Sequence, residues 1–274
     1  ISVSSYAYED RVFAMTPSAS SADVTAGKDN MFQLCFTDPN QGLGTAQYIA
    51  ENMSKEFQIA VIYRNDDAYS QGIRDTFIVE AKNQGLNVVY EGTFTADTAT
   101  DFSVQLTAAK AAGADFIFLP IYYQPASIIL SQAKAMDYAP IFFGVDGMDG
   151  ILTLENFDTS LAEGVMLLTP FSAKATDEKT VNFVAAYQEA YGEVPNQFAA
   201  DGYDVIYAIK QAMETAGYTD GMATEDLCDA MIEAVTSMTF DGVTGSGMTW
   251  ASNGEVSKLP IAVVIENGEY EMAK

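Results

Sequence analysis

The segment Arg11–Gln41 reads RVFAMTPSASSADVTAGKDNMFQLCFTDPNQ, and its order of residue types decides the fold. A short apolar run, Val12–Met15, predicts a strand that leads into the hydroxyl-rich sequence TPSASS. A second apolar run, Met31–Phe36, ends in Thr-Asp-Pro-Asn. Small hydroxyl residues where a strand gives way to a helix are typical of an anion-binding turn, because the first N–H groups of a helix lack intrahelical acceptors. The segment therefore predicts a polar anion-binding turn at a strand end.

Composition excludes several classes of function. The net charge of −25 argues against binding a phosphate backbone, so no nucleic-acid partner is expected. The chain has no histidine, which removes Ser-His and Cys-His nucleophiles and weakens any case for a metal or cofactor. Cys35 and Cys228 are expected to be separate buried thiols rather than a disulfide. No apolar run approaches the roughly 20 residues of a membrane helix, and the first residues do not have the pattern of a signal peptide.

Beyond Gln41 the pattern alternates between helix and strand. Continuous apolar strands separated by amphipathic helices indicate a parallel sheet that is covered on both faces. The predicted strands are Gln58–Tyr63, Asn87–Tyr90, Asp115–Tyr122 and Ile141–Val145, and the predicted helices are Gly44–Lys55, Ser70–Gln84, Phe102–Ala112 and Gln124–Met136. This block, residues 39–171, is expected to form one doubly wound α/β lobe.

The chain then changes character. Three consecutive amphipathic helices are predicted, at Asp177–Tyr191, Ala199–Ala216 and Thr224–Met238. A run of helices does not fit the repeating lobe and is better placed beside the opening strands. The tail is expected to form strands at Gly245–Trp250 and Pro260–Glu266, with Asn-Gly turns. The predicted domains are a first lobe of residues 1–38 and 172–245, and a second lobe of residues 39–171 and 246–274.

The TPSASS turn, the later Asp38 and the pattern that follows resemble the branched-chain amino-acid type of ABC-importer substrate-binding protein, with the type I periplasmic-binding-protein fold. That resemblance implies two doubly wound, Rossmann-like α/β lobes joined by a hinge. Compared with the family, the first lobe is short of its opening βαβαβ unit, so the chain is expected to start inside the helix after the third strand of that unit.

Ligands in open α/β sheets lie beyond the carboxyl ends of strands. The residues at those ends, and in the turn that follows the first strand, are Ala19, Ser20, Asp38, Tyr69, Tyr122, Tyr123, Asp146 and Gly147. The resemblance implies that the Ala19 backbone and the Ser20 hydroxyl hold a ligand carboxylate and that Asp146 holds its ammonium group. The alternatives from the residues alone are an N-cap at Ser18–Ser21 and an ordinary turn carboxylate at Asp146; the spacing after Asp146 does not match a calcium loop.

Aromatic residues complete the predicted site. Adjacent strand residues point to opposite sides, so at most one of Tyr122 and Tyr123 faces a ligand, and the resemblance favours Tyr122. Tyr69 matches the family's tyrosine after the first strand of the second lobe, which favours a place in the site over the alternative of a helix-start or surface tyrosine. Phe198 matches a region whose aromatic side chain covers the ligand, or it is a core residue. Asp38 is expected at the hinge, where it caps the helix from Gln41 or reaches the site.

These observations favour a non-catalytic, extracytoplasmic solute-binding protein that closes over a free amino acid, branched-chain or otherwise hydrophobic, and delivers it to an ABC permease. The expected form is a monomer in the periplasm or on the cell surface, with membrane contact only through the permease or a lipid anchor outside this chain. One alternative is the sensing domain of a receptor or regulator that binds an amino acid, amide or aromatic acid. Another is an α/β enzyme that uses Asp146 and Asp149.

Overall fold

The computed structural model describes residues 1–273, which divide into two compact units. Unit 1 comprises Ile1–Thr37 and Pro170–Leu259, and unit 2 comprises Asp38–Thr169 with the C-terminal segment from Pro260. The chain therefore passes from one unit to the other three times. No helix in the described residues combines the length and apolar character that crossing a membrane requires.

Nine strands and eight α-helices occur in residues 1–273. The strands are β1 (Ala14–Thr16), β2 (Met31–Gln33), β3 (Gln58–Arg64), β4 (Asn87–Phe94), β5 (Phe116–Leu119), β6 (Ile141–Gly144), β7 (Met166–Thr169), β8 (Ile261–Glu266) and β9 (Glu269–Met272). The helices are α1 (Ser2–Glu9), α2 (Asp38–Asn52), α3 (Ala68–Gln84), α4 (Ser103–Ala111), α5 (Tyr123–Ala135), α6 (Glu178–Tyr191), α7 (Gln197–Thr215) and α8 (Thr224–Ser237).

Unit 2 is built on a seven-stranded sheet with the order β4-β3-β5-β6-β7-β8-β9. Strands β3 to β7 pair in parallel, whereas β8 and β9 are antiparallel. The chain goes from β3 to β4 on one side and returns to β5 on the other, so the winding reverses between β3 and β5. Ligands of doubly wound sheets bind at this kind of reversal, beyond the carboxyl ends of the strands.

Both faces of this sheet are buried. Ile59 and Val61 pack with α2 and α3 on one face, whereas Ala60 and Ile62 pack with α4 and α5 on the other. Successive strand residues point to opposite faces, so a continuous apolar run is required when both faces are covered. The predicted doubly wound α/β lobe is confirmed. The predicted Asn-Gly hairpin is confirmed as well, because Asn267 and Gly268 both have positive φ between β8 and β9.

Unit 1 combines a two-stranded parallel sheet, β1–β2, with the three predicted helices α6, α7 and α8. Its largest hydrophobic cluster joins Phe32 of β2 to Trp250 and to residues of α7 and α8. Trp250 donates its indole N–H to the backbone oxygen of Gln33, 2.8 Å away. The expected separate cysteines are confirmed, because Cys35 and Cys228 are both buried free thiols.

A buried polar network lies in the same unit. Lys258 donates to Asp201 Oδ1 at 3.1 Å and to Thr244 Oγ1 at 2.6 Å. Asp204 accepts the Thr244 hydroxyl at 2.6 Å and two backbone N–H groups. The network thereby ties the last segment of unit 1 to α7.

After β1 the chain forms a three-residue 3₁₀ turn, Ala22–Val24, where the sequence left a helix or a turn open. Two sequence-based predictions differ from the structure. The expected strand Gly245–Trp250 is replaced by two isolated bridges, Phe240–Met248 and Trp250–Val256. Residues 246–259, expected in the second lobe, pack in unit 1 because Trp250 fills its core. Strand β7 was not predicted.

Candidate functional site

Three strand ends of unit 2 carry the central residues of the site. Tyr69 lies in the first turn of α3, after β3, and Tyr122 lies after β5, immediately before α5. Asp146 and Gly147 follow β6. Because β3, β5 and β6 are adjacent and parallel, their carboxyl ends share one edge of the sheet, and side chains 77 residues apart in the chain come into contact.

The Tyr69 hydroxyl and the Asp146 carboxylate form the centre of this group. Tyr69 donates to Asp146 Oδ1 at 2.5 Å, and the Gly147 N–H donates to the Tyr69 hydroxyl at 2.9 Å. A Cβ on residue 147 would lie 2.5 Å from that hydroxyl and 3.1 Å from Cδ1 of Tyr122. Any residue larger than glycine at position 147 would therefore have to displace one of these tyrosines.

Burial controls the electrostatics of the pair. Asp146 is only 4% exposed, and desolvation raises its pKa from 3.8 to about 6 despite the hydrogen bond from Tyr69, which lowers it. Desolvation also raises the pKa of Tyr69 well above its ordinary value, with the charge of Asp146 as the next cause. A buried carboxylate that is costly to ionise gains most from a cation that enters its site.

Tyr122 covers one side of the pair. Its ring stacks on that of Tyr69 with the centroids 4.7 Å apart, and 39% of the residue remains exposed. The neighbouring Tyr123 instead packs against the hydrophobic cluster on the face of the sheet that α4 and α5 cover, next to Gly150. Tyr122 therefore offers an accessible aromatic surface beside Asp146.

Helix α2 supplies a further contact that the sequence did not reveal. Gln41 Oε1 accepts the backbone N–H of Asp146 at 3.3 Å, and Gln41 is fully buried. Asp38 is the first residue of α2, rather than a cap for a helix that starts at Gln41. It is buried against Gly72 of α3, where a Cβ on Gly72 would come within 3.2 Å of the Asp38 Cβ. A glutamine in an ordinary amphipathic pattern carries no signal of such a role.

In unit 1, the hydroxyl-rich turn is held by its own hydrogen bonds. The Ala19 N–H donates to Thr16 Oγ1 at 3.0 Å, and the Ala19 carbonyl accepts from Gln33 Nε2 at 2.9 Å. Ser20 is buried, and Ser21 caps the short 3₁₀ turn by accepting from the Asp23 N–H at 3.3 Å. The Ala19 N–H, which was expected to meet a ligand, is thus engaged within the turn.

Phe198 is the second residue of α7 in unit 1 and is partly exposed. Asn196 caps this helix by accepting the Ala199 N–H at 3.1 Å. The cap fixes the helix start and thereby the position of Phe198. Its predicted role over a ligand stays a prediction.

Carboxylates and thiols are side chains of this chain that could bind a metal ion or act in catalysis. Among the described residues, no set of three or more Cys, Asp and Glu side chains is arranged to hold a metal ion. Asp149, the carboxylate considered as a catalytic partner of Asp146, interacts with Tyr270, whose hydroxyl also accepts the Gly150 N–H at 3.2 Å. Asp149 therefore supports the loop after β6.

The chain is similar to known solute-binding proteins. A family model described as periplasmic binding protein matches residues 2–269. A leucine-, isoleucine-, valine-, threonine- and alanine-binding protein of Pseudomonas aeruginosa is 27% identical over 242 residues, 87% of this chain and 61% of the relative. The chain spans about three fifths of the length of the curated relatives that it matches.

Two solved structures share the fold over nearly the whole chain. A leucine-binding protein from Thermotoga maritima is 26% identical with a TM-score of 0.87, and the match covers 99% of this chain and 75% of that one. A branched-chain amino acid transporter substrate-binding protein from Streptococcus pneumoniae, in complex with isoleucine, is 27% identical with a TM-score of 0.85, and the match covers 98% and 74%.

Proposed function

The chain belongs to the periplasmic binding protein family, and from this we propose that it is an extracytoplasmic solute-binding protein for a free amino acid. In this proposal it performs no catalysis and hands the amino acid to the permease of an ABC importer. It works as a monomer, and any membrane contact runs through the permease or through a lipid anchor outside the chain.

The observation that carries the proposal is the buried pair of Tyr69 and Asp146. The carboxylate is desolvated, oriented by the tyrosine hydroxyl and placed at a strand end. Its raised pKa means that ionisation costs more free energy in the empty site than in water. An α-ammonium group next to Asp146 offsets that cost through a charge-assisted hydrogen bond.

The accessible ring of Tyr122 supports a hydrophobic side chain in the ligand. Aromatic rings offer apolar contact area and attract nearby cations. The named relatives bind leucine, isoleucine or valine, so we propose a branched-chain or similar apolar amino acid. Within unit 1, we propose the Ser20 hydroxyl and Phe198 as further ligand contacts.

A thermal-shift experiment with L-leucine, L-isoleucine and L-valine tests the proposal at pH 7.5. A ligand at a thousand times its dissociation constant stabilises the folded state by about 4 kcal/mol, which raises the unfolding temperature by several degrees. Asp146→Asn should abolish that rise, because the ammonium loses its ionic partner. Asp149 is the same residue type in the same loop, but it interacts with Tyr270. The Asp149→Asn variant should therefore keep the ligand-induced rise in unfolding temperature.

Two results would contradict the proposal. A wild-type chain that no amino acid stabilises would refute amino-acid binding. An Asp146→Asn variant with the wild-type ligand response would show that this carboxylate does not hold the ammonium group. Tyr69→Phe gives an intermediate test, because loss of the orienting hydroxyl should weaken binding by about tenfold, the effect of one hydrogen bond to a charged group.

A further inference from the structure

Unit 2 contains a cavity that is lined by Tyr122 but not by Tyr69 or Asp146. This Tyr122 crevice has a volume of about 190 Å³ and lies beyond the carboxyl ends of β3, β4 and β5. It occupies the reversal point of the sheet, where doubly wound folds bind ligands. The pair of Tyr69 and Asp146 does not line it, so it is not accounted for by the amino-acid site.

The charges around the crevice are unbalanced. Arg64 lines it, but its guanidinium is already paired with Asp66, with Nε 2.7 Å from Oδ1. Asp67 also lines the crevice, and its Oδ2 is shielded from solvent with no hydrogen-bond partner among the described residues. A buried carboxylate oxygen without a donor is costly, and a ligand that supplies a donor removes that cost.

The remaining walls are apolar and aromatic. Phe94, Ile121 and Pro125 line the crevice together with the ring of Tyr122. Burial raises the pKa of Tyr122 well above its ordinary value, and the charge of Asp67 is the second cause, ahead of those of Asp146 and Asp38. Asp67 is thus the negative charge that acts most strongly on this aromatic wall, partly offset by Arg64, and a negative charge beside an aromatic ring attracts cations.

We propose that the Tyr122 crevice binds a primary alkylammonium ion, with its nitrogen at Asp67 and its alkyl group against Phe94, Ile121 and Pro125. The volume equals that of about six water molecules at roughly 30 Å³ each, which suits an ion with a short alkyl chain. An inorganic cation would leave the apolar walls without contact, and a neutral alcohol would bring no positive charge to Asp67, whose charge only Arg64 partly offsets among the residues that line the crevice. This site is separate from the proposed amino-acid site.

The test is an NMR titration of the full chain with n-propylammonium chloride. Sodium chloride controls for ionic strength and 1-propanol for the apolar chain. The backbone amides of residues 96, 99 and 122 should shift saturably with n-propylammonium and not with either control. Asp67→Asn should weaken binding by about tenfold, the effect of losing one charge-assisted hydrogen bond. Asp97→Asn removes the same charge from an exposed residue of the adjoining turn and should leave binding within about twofold.

A second variant covers the case in which Asp67→Asn perturbs the start of α3. Ala99→Leu leaves Asp67 in place and fills the crevice, so it should also abolish the saturable shifts. Absence of saturable shifts in the wild type, or equal binding by Asp67→Asn and Asp97→Asn, overturns the proposal. Asp146→Asn should lose the response to leucine and keep that to n-propylammonium, so failure of one proposal is distinguishable from failure of the other.

Discussion

Replacing Asp146 with asparagine should stabilise the empty protein in a pH-dependent way. A rise in the Asp146 pKa from 3.8 to about 6 corresponds to about 3 kcal/mol of destabilisation of the ionised form. The folded state holds this proton more tightly than the unfolded state, so the contribution is favourable below pH 3.8 and is lost as pH rises through 6. Asparagine is isosteric, can still accept from Tyr69 and does not ionise.

The measurement compares wild type and Asp146→Asn by urea unfolding at pH 5 and pH 8, without ligand. About 1.4 kcal/mol of the destabilisation develops between these two values, so the difference between variant and wild type should shift by that amount in favour of asparagine. Both conditions lie above the isoelectric point of about 4.1. Comparing two pH values cancels any pH-independent packing cost of the substitution.

Asp97→Asn serves as the control, because this carboxylate is exposed and its loss should give no comparable pH-dependent change. A stability difference for Asp146→Asn that is the same at both pH values, or that moves in favour of wild type at pH 8, would refute the argument. The expected combination is a more stable protein that no longer responds to amino acids, which is the trade-off typical of a binding site.

Three further substitutions and one control substitution give simple outcomes. Gly147→Ala should weaken amino-acid binding by about tenfold in calorimetric titration, because its Cβ would meet the Tyr69 hydroxyl at 2.5 Å. Gly202→Ala has open space inside α7 and should raise stability by about 0.5–1 kcal/mol without affecting binding; a loss of stability would contradict this. Lys258→Met should cost about 3–5 kcal/mol in chemical denaturation because it leaves a buried carboxylate without its cation. The exposed Lys210→Met should cost less than about 1 kcal/mol, and equal effects would argue against a buried ion pair.

The sequence predicted the repeating lobe well because the physical signal is local. A strand that is buried on both faces must be apolar at every position, as in Phe116–Leu119, and helices between such strands must be amphipathic. Gly85 likewise ends α3 in a left-handed conformation that glycine adopts without strain. These constraints act within a few residues, so the sequence pattern shows them without knowledge of the tertiary contacts.

Errors arose where one segment had several possible partners. The segment Gly245–Trp250 has a strand-like pattern, yet Trp250 is buried in unit 1 and donates to Gln33, more than 200 residues away in the chain. The pattern of apolar residues shows that a side chain is buried, but it does not show in which core.

By itself the sequence determined the class of fold and the residues at the strand ends, including Tyr69, Tyr122 and Asp146, because strand burial and strand termination are properties of adjacent residues. Only the tertiary structure decided how those residues interact. It set the hydrogen bond between Tyr69 and Asp146, the contact of Gln41, the requirement for glycine at position 147 and the raised pKa of Asp146. Each of these depends on which strands are neighbours and on how completely water is excluded, and both are properties of the packed sheet rather than of any local stretch of sequence.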